Sequence, residues 1–135
     1  MARPFVDFGL LSRATHETRS FKAGEVIFNI GDPGNEFFVV RSGKVAVRLG
    51  NRTLQVLDEG EIFGEMALVD AEPRSATVIA ETDCVVVPVG EKQFLFMITE
   101  APYFGISVMK VLVRRLRAAN AGMPEGHNTA NPAAV

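Results

Sequence analysis

The segment 61–78, EIFGEMALVDAEPRSATV, carries the residues whose types and spacing favour ligand chemistry. Gly64 lets a ligand approach the backbone closely. Residues 65–69 are long enough for a short helix, and the N–H groups at the start of a helix have no partner within it and suit an anion. Arg74 can donate from its planar guanidinium to two oxygens of one phosphate, with the Ser75 hydroxyl beside it. The segment therefore predicts a phosphate site.

Glu65 needs a separate explanation, because two like charges close together in a low dielectric repel each other strongly. An ionised carboxylate only accepts hydrogen bonds, and a ribose 2′-hydroxyl can donate one. The predicted ligand is thus a compact unit with a phosphate for Arg74 and a sugar hydroxyl for Glu65, and a 3′,5′-cyclic nucleotide meets both requirements. An isolated Glu/Arg pair is more often an ion pair that stabilises a turn, but the residues around this pair favour ligand binding.

The elements that must position these residues are mostly strands. Turn-forming residues recur at intervals of roughly eight residues, at 23–24, 31–35, 42–43, 50–51 and 59–60. The segments between and after these turns are rich in strand-forming residues: 18–21, 26–29, 36–41, 44–49, 53–57, 75–79 and 84–89. In 44–49, apolar residues alternate with shorter or polar ones, as in a strand with one buried face. The pattern predicts a mainly β fold, an eight-stranded sandwich or jelly roll.

Two helices are predicted at the C-terminal end, over 91–98 and 101–119, with Pro102 tolerated in the first turn of the second. That second helix carries an apolar stripe that Arg115 continues by one turn: Phe104, Val108, Val111 and Leu112. We expect one domain over residues 1–120. Residues 121–135 are small, polar and interrupted by Gly and Pro, and we expect a disordered tail.

Composition argues against several other functions. Fourteen Lys and Arg against sixteen Asp and Glu give a net charge of −2, so the chain lacks the overall basic field of non-specific nucleic-acid binding. The single cysteine, Cys84, excludes an intramolecular disulfide and is interpreted as a buried, inert thiol. Two histidines are too few for a cupin-like metal site. Neither an export signal nor an apolar run of roughly 20 residues is found, so we expect a cytoplasmic protein without membrane contact.

The segments 63–69 (FGEMALV) and 73–78 (PRSATV) resemble the phosphate-binding cassette of the cyclic nucleotide-binding domain family. That family includes catabolite-activator-type regulators, protein kinase regulatory subunits and cyclic-nucleotide-gated channels. The resemblance extends over about 21–120 and takes in 31–35 (GDPGN) and 42–45 (SGKV). It implies an antiparallel β-roll with a short cassette helix and C-terminal helices.

For the cassette, the resemblance implies that Glu65 binds the ribose 2′-hydroxyl and that Arg74 binds the cyclic phosphate. It also implies that the Ser75 hydroxyl or N–H lies beside the phosphate. Backbone contacts are expected at three further residues: Gly64, Met66 and Ala67.

For the base, the resemblance implies apolar contacts from Val47 and Leu54, and a lid formed by the last helix with Arg115 approaching the ligand. Each has a plainer interpretation that stays open. Val47 and Leu54 could be ordinary core residues, and Arg115 could belong to a solvated helix end, where cations are favourable.

These observations predict a non-catalytic receptor for cAMP, cGMP or both, without a metal or other cofactor. The expected partner is an effector protein, or a second copy bound through helix 101–119. Direct DNA binding is not expected, because only fifteen residues follow Asn120 and a recognition helix would have to lie there. The alternative hypothesis is an interaction or dimerisation module on the same fold that works without nucleotide.

Overall fold

The computed structural model describes residues 6–70 and 72–121, and eight strands form its framework. They are β1 (Arg19–Phe21), β2 (Val26–Phe28), β3 (Phe37–Ser42), β4 (Val45–Leu49), β5 (Arg52–Leu57), β6 (Ile62–Phe63), β7 (Thr77–Ala80) and β8 (Cys84–Val89). All except β6 fall on predicted segments. The sequence pattern does not reveal β6, because two residues are too few to show an alternation.

The strands form two four-stranded sheets, in the orders β1-β8-β3-β6 and β2-β7-β4-β5. Within each sheet, all neighbouring strands are antiparallel. For example, Val45 pairs with Leu57 across β4 and β5, and Phe38 pairs with Pro88 across β3 and β8. The prediction of a mainly β, eight-stranded antiparallel roll is therefore confirmed.

Buried residues from both sheets meet inside the roll in what we call the interior cluster: Phe28, Phe38, Val40, Val45, Val47, Leu57, Phe63, Ala76, Val78, Ala80, Cys84 and Val86. A second cluster joins the outer face of the first sheet to the helices, and it includes Phe37, Val39, Val89, Met97 and Val108. Successive residues of a strand point to opposite faces. Strand β3 is therefore apolar at every position from 37 to 40, because both of its faces are covered.

Four helices complete the fold: α1 (Phe8–Ala14), α2 (Met66–Val69), α3 (Glu91–Glu100) and α4 (Pro102–Ala121). Helix α1 is capped by the Asp7 carboxylate, which accepts a hydrogen bond of 2.8 Å from the Gly9 N–H. Helix α4 begins at Pro102, whose missing N–H costs nothing in a first turn. No helix within the described ranges combines the length and apolar character needed to cross a bilayer.

The predicted apolar stripe of α4 is confirmed. Phe104, Val108 and Val111 are buried, Leu112 is half-buried, and Arg115 is 9% exposed. The helix continues through Ala121, and the rest of the predicted tail, residues 122–135, lies outside the described residues. Helix α4 thereby brings an arginine from the C-terminal end of the chain to the cassette.

Candidate functional site

The cassette begins where β6 ends and runs through Gly64 and Glu65 into α2. Gly64 has a φ of +81°, a conformation that glycine adopts without strain. A Cβ at this position would also lie 2.9 Å from Nη1 of Arg74. Residue 64 is therefore glycine for two reasons, the backbone turn and the close approach of a guanidinium.

Arg74 lies against the cassette and is 8% exposed. Its Nη1 donates to the Gly64 carbonyl at 3.2 Å and its Nη2 to the Glu36 carbonyl at 2.8 Å. A Cβ on Gly34 would overlap the guanidinium, so the turn 31–35 closes over it. The buried Nε has no hydrogen-bond partner in the described part of the chain.

An aromatic floor supports the Arg74 guanidinium. Its Cζ lies 4.3 Å from the ring centroid of Phe28 and 5.8 Å from that of Phe38, within the range of cation–π attraction. Phe38 stacks on Phe63 with 5.1 Å between ring centroids, and Phe28 lies 6.0 Å from both. These rings come from β2, β3 and β6, so both sheets hold the arginine in place.

Glu65 has no exposed surface. Its Oε2 accepts a hydrogen bond of 2.5 Å from Nη1 of Arg115, and Nη2 of Arg115 donates to the Ile62 carbonyl at 3.0 Å. The other carboxylate oxygen, Oε1, is buried without a partner among the described residues. Glu65 thus keeps one free acceptor although an ion pair already holds it.

The pKa values of Glu65 and Arg74 both shift in the direction that favours the neutral form. Burial raises the pKa of Glu65, and the charge of Arg115 opposes this without cancelling it. Burial also lowers the pKa of Arg74, opposed by the negative charges of Glu36, Asp32 and Glu65. A guanidinium remains protonated in proteins, so Arg74 is a buried cation whose hydrogen-bond partners are neutral.

The structure brings the predicted residues Gly64, Glu65, Arg74 and Arg115 together. Met66 and Ala67 are half-buried in the first turn of α2, and Ser75 is half-buried next to Arg74. Val47 and Leu54 lie on β4 and β5: Val47 is 1% exposed in the interior cluster, which also holds the Phe28, Phe38 and Phe63 rings, and Leu54 packs against that cluster partly buried.

Sequence reasoning missed the ion pair between Glu65 and Arg115 and the part played by Glu36 and Phe28. No spacing rule joins residues that are 50 positions apart. The turn 31–35 does carry a signal, because a glycine there permits the close approach of Arg74. Within the described ranges, no group of three or more His, Cys, Asp or Glu side chains could hold a metal ion.

The chain is similar in sequence to known proteins along most of its length. The family model for the cyclic nucleotide-binding domain matches residues 18–101. The chain is 40% identical over 78 residues to a cAMP-dependent protein kinase regulatory subunit of Hypocrea atroviridis, covering 58% of this chain and 17% of that protein. It is 42% identical over 73 residues to a cGMP-dependent protein kinase of Toxoplasma gondii, covering 54% of this chain and 7% of that protein.

Among solved structures, the catabolite activator protein of Thermus thermophilus superimposes with a TM-score of 0.73 at 35% identity, covering 84% of this chain and 55% of that one. The chain thus spans about half of that structure and less than a fifth of the two kinase-related proteins. Most of each kinase-related protein therefore lies outside the aligned region.

Proposed function

Because this chain belongs to the cyclic nucleotide-binding domain family, we propose that it is a non-catalytic receptor for cAMP, cGMP or both. One observation carries the proposal: two buried side chains of opposite charge at the cassette, Arg74 and Glu65, each keep one polar atom without a partner among the residues that the structure describes. Buried polar groups are almost always hydrogen-bonded. Nε of Arg74 is a donor and Oε1 of Glu65 an acceptor, so a ligand that satisfies both carries an acceptor and a donor, and an anion suits the charged guanidinium while a hydroxyl suits the carboxylate.

The Arg74 side of the site suits a phosphate monoanion. The guanidinium already donates to two carbonyl oxygens, which carry no net charge, and it rests on the Phe28 ring. An anionic oxygen is a stronger acceptor than a carbonyl, and a hydrogen bond to a charged group stabilises by about 1.5–3 kcal/mol. Ser75 and the backbone at Gly64, Met66 and Ala67 are the further phosphate contacts in this proposal.

The Glu65 side of the site suits a sugar hydroxyl. The carboxylate accepts from Arg115 through Oε2 only, so a ribose 2′-hydroxyl can donate to Oε1 while the ion pair stays in place. A second anion there would meet a buried negative charge. The site is therefore expected to select a ligand that presents its phosphate to Arg74 and its ribose to Glu65.

The base of the ligand would contact apolar residues of the roll. Val47 and Leu54 line the roll interior from β4 and β5, and relatives that depend on cAMP and on cGMP both match this chain. We therefore include both purines, with Val47 and Leu54 offering apolar contacts to the base.

Regulation would pass through α4. Arg115 ties this helix to Glu65 and to the Ile62 carbonyl, which flank the proposed ribose position. A ligand on Glu65 would bias the position of residues 64–69 and of α4 by its difference in affinity for the two arrangements. The altered surface would then be presented to an effector protein or to a second copy of the chain.

Calorimetric titration of the purified chain with cAMP and with cGMP tests the proposal, with 5′-AMP as the matched control. We expect saturable heat and a rise in melting temperature with at least one cyclic nucleotide, and a much weaker response to 5′-AMP, whose phosphate is dianionic and not cyclised. Absence of heat and of any thermal shift at millimolar cyclic nucleotide would reject the receptor proposal.

A second candidate function, a dimerisation module, is favoured by an exposed stripe on α4. Ile106, Met109, Val113 and Leu116 are 42–56% exposed, and their alternating spacing of three and four residues is the seam pattern of a coiled coil. They lie on the side of α4 opposite to buried Val108 and Val111. The helix thus has a second apolar face, which two copies of the chain could bury against each other.

Sedimentation velocity with and without cAMP separates the two candidates. A dimer whose association constant is the same with and without cAMP supports the module, whereas a dimer that cAMP strengthens or weakens supports the receptor. The variant Val113→Glu should dissociate the dimer, and Arg114→Glu, one residue along on the exposed surface, should leave it intact.

A further inference from the structure

Glu36 lies between two arginines. Its backbone carbonyl accepts from Nη2 of Arg74 at 2.8 Å, and its carboxylate Oε1 accepts from Nη1 of Arg19 at 3.0 Å. The Cζ atoms of the two arginines also lie at similar distances from the Phe38 ring centroid, 5.7 Å for Arg19 and 5.8 Å for Arg74. Arg19, on β1 and far from the cassette in sequence, therefore binds the same residue that holds Arg74.

The negative charge of the Glu36 carboxylate is unfavourable for anion binding at Arg74. Among the charges around Arg74, that of Glu36 contributes most to raising the Arg74 pKa, ahead of Asp32 and Glu65. A carboxylate that stabilises the guanidinium in this way also repels an anion that binds to it. Glu65 is neutralised by Arg115, but Glu36 needs a counter-charge of its own.

Arg19 supplies that counter-charge in a fixed orientation. Its Nε and Nη2 donate to Glu17 Oε2 at 3.2 and 3.0 Å, which leaves Nη1 directed at Glu36. The side chain is 41% exposed and that of Glu36 is 27% exposed. An ion pair with this exposure contributes little to stability, so its effect is to be sought in ligand affinity.

Building on the proposed function, we infer that Arg19 is a positioning residue of the anion site: it binds and neutralises the Glu36 carboxylate, which would otherwise repel a cyclic phosphate bound to Arg74. Arg19 does not itself contact the ligand in this arrangement. Its contribution therefore depends on the presence of the Glu36 charge.

The test is a double-mutant cycle read by calorimetric titration with whichever cyclic nucleotide the wild-type chain binds more tightly. Arg19→Ala should weaken binding by about three- to tenfold at low salt, and by less at high salt because exposed charges are screened. Glu36→Gln should bind as tightly as the wild type or more tightly. The double variant Arg19→Ala/Glu36→Gln should return to within about twofold of Glu36→Gln.

Lys22→Ala is the matched control, since it also removes one exposed positive charge next to β1, and Lys22 forms an ion pair with the exposed Asp83 at 3.9 Å and with no other carboxylate in the described part of the chain. It should leave affinity unchanged. A double variant as weak as Arg19→Ala would show a merely structural role, and Arg19→Ala binding like wild type would overturn the inference while leaving the receptor proposal intact. A wild-type chain that binds no cyclic nucleotide would overturn both. Melting temperatures of all variants establish that each is folded.

Discussion

Two buried arginines hold the two ends of the cassette, and they are held in opposite ways. Arg74, on the roll side, is bound by two carbonyl oxygens and a phenyl ring, and no ion pair joins it to a carboxylate within the described ranges. Arg115, on the helix side, is bound by the carboxylate of Glu65. The first arginine keeps its charge available, whereas the charge of the second is compensated inside the protein.

Because their partners differ, the two arginines are expected to contribute differently to ligand binding and to the stability of the fold. A buried ion pair is costly to break, because the partner that remains is an uncompensated buried charge. Removing a buried cation that is held by neutral acceptors leaves no unpaired charge behind, so the free energy of unfolding falls less. The charge of such a cation is available to a bound anion. Arg115 should therefore matter most for folding and Arg74 most for ligand affinity.

The largest effect is expected for Arg115→Ala. It leaves the fully buried Glu65 carboxylate without its cation, and we expect the free energy of unfolding to fall by about 3–5 kcal/mol. Urea denaturation followed by circular dichroism measures this loss. Arg114→Ala, at an exposed position on the same helix, is the control and should change stability by less than about 0.5 kcal/mol. Equal losses in the two variants would contradict a stabilising role for the Arg115 ion pair.

The next effect is on affinity. Arg74→Ala removes a charge-assisted contact and should weaken cyclic nucleotide binding by about 1.5–3 kcal/mol, roughly 10- to 150-fold. Arg74→Lys keeps the charge but loses the planar fork, so it should fall between the wild type and the alanine variant. Calorimetric titration measures both, with Arg52→Ala, exposed on β5, as the charge-matched control. Unchanged affinity in Arg74→Ala would place the phosphate elsewhere.

A smaller effect is expected at Gly64. Alanine at a positive φ costs about 1–2 kcal/mol of stability, and here its Cβ would also meet Nη1 of Arg74 at 2.9 Å. Gly50 has a φ of +62° with nothing within 4 Å of an added Cβ, so Gly50→Ala should pay only the backbone strain. We expect Gly64→Ala to lose more affinity for cyclic nucleotide than Gly50→Ala, measured side by side by titration and thermal unfolding. Equal affinities would mean that the guanidinium adjusts freely.

The two arginines also differ in how far the sequence could predict them. Arg74 lies within a contiguous segment whose glycine and carboxylate residues are visible at short range, so Arg74, Gly64 and Glu65 could be predicted to lie together. Arg115 could be placed on the buried face of α4 by helical periodicity alone. Its partner could not, because the pairing depends on how α4 packs over β6, and helical periodicity carries no information about that contact.

The same limit explains the strands. Turn spacing and the alternation of apolar and polar residues predict the longer strands, because successive side chains of a strand point to opposite faces. They fail at β6, where two residues carry the whole element, and they cannot give sheet order. Nor do they show how the two sheets pack together, and that packing brings Phe28 of β2 next to Phe38 of β3 to form the floor under Arg74.

The last and smallest prediction concerns pH and asks whether Arg115 compensates Glu65 completely. Burial raises the pKa of Glu65 above its ordinary value of 4.5 despite the neighbouring guanidinium. On acidification the folded state then takes up this proton before the unfolded state does, so folding gains stability as the pH falls through the raised pKa and the gain levels off below the unfolded value. Glu65→Gln cannot take up the proton, so the stability of the wild type relative to Glu65→Gln should increase from neutral pH down to about pH 4.5.

Urea unfolding of both proteins at a series of pH values measures this difference. A wild-type advantage that shrinks on acidification would mean that the folded pKa lies below the ordinary one. In that case Arg115 would overcompensate the burial of Glu65, and the carboxylate would stay ionised to a lower pH in the folded state than in the unfolded state. An advantage that grows on acidification would instead show a carboxylate that its own arginine leaves partly uncompensated, as expected of a group that needs a further hydrogen-bond donor from a ligand.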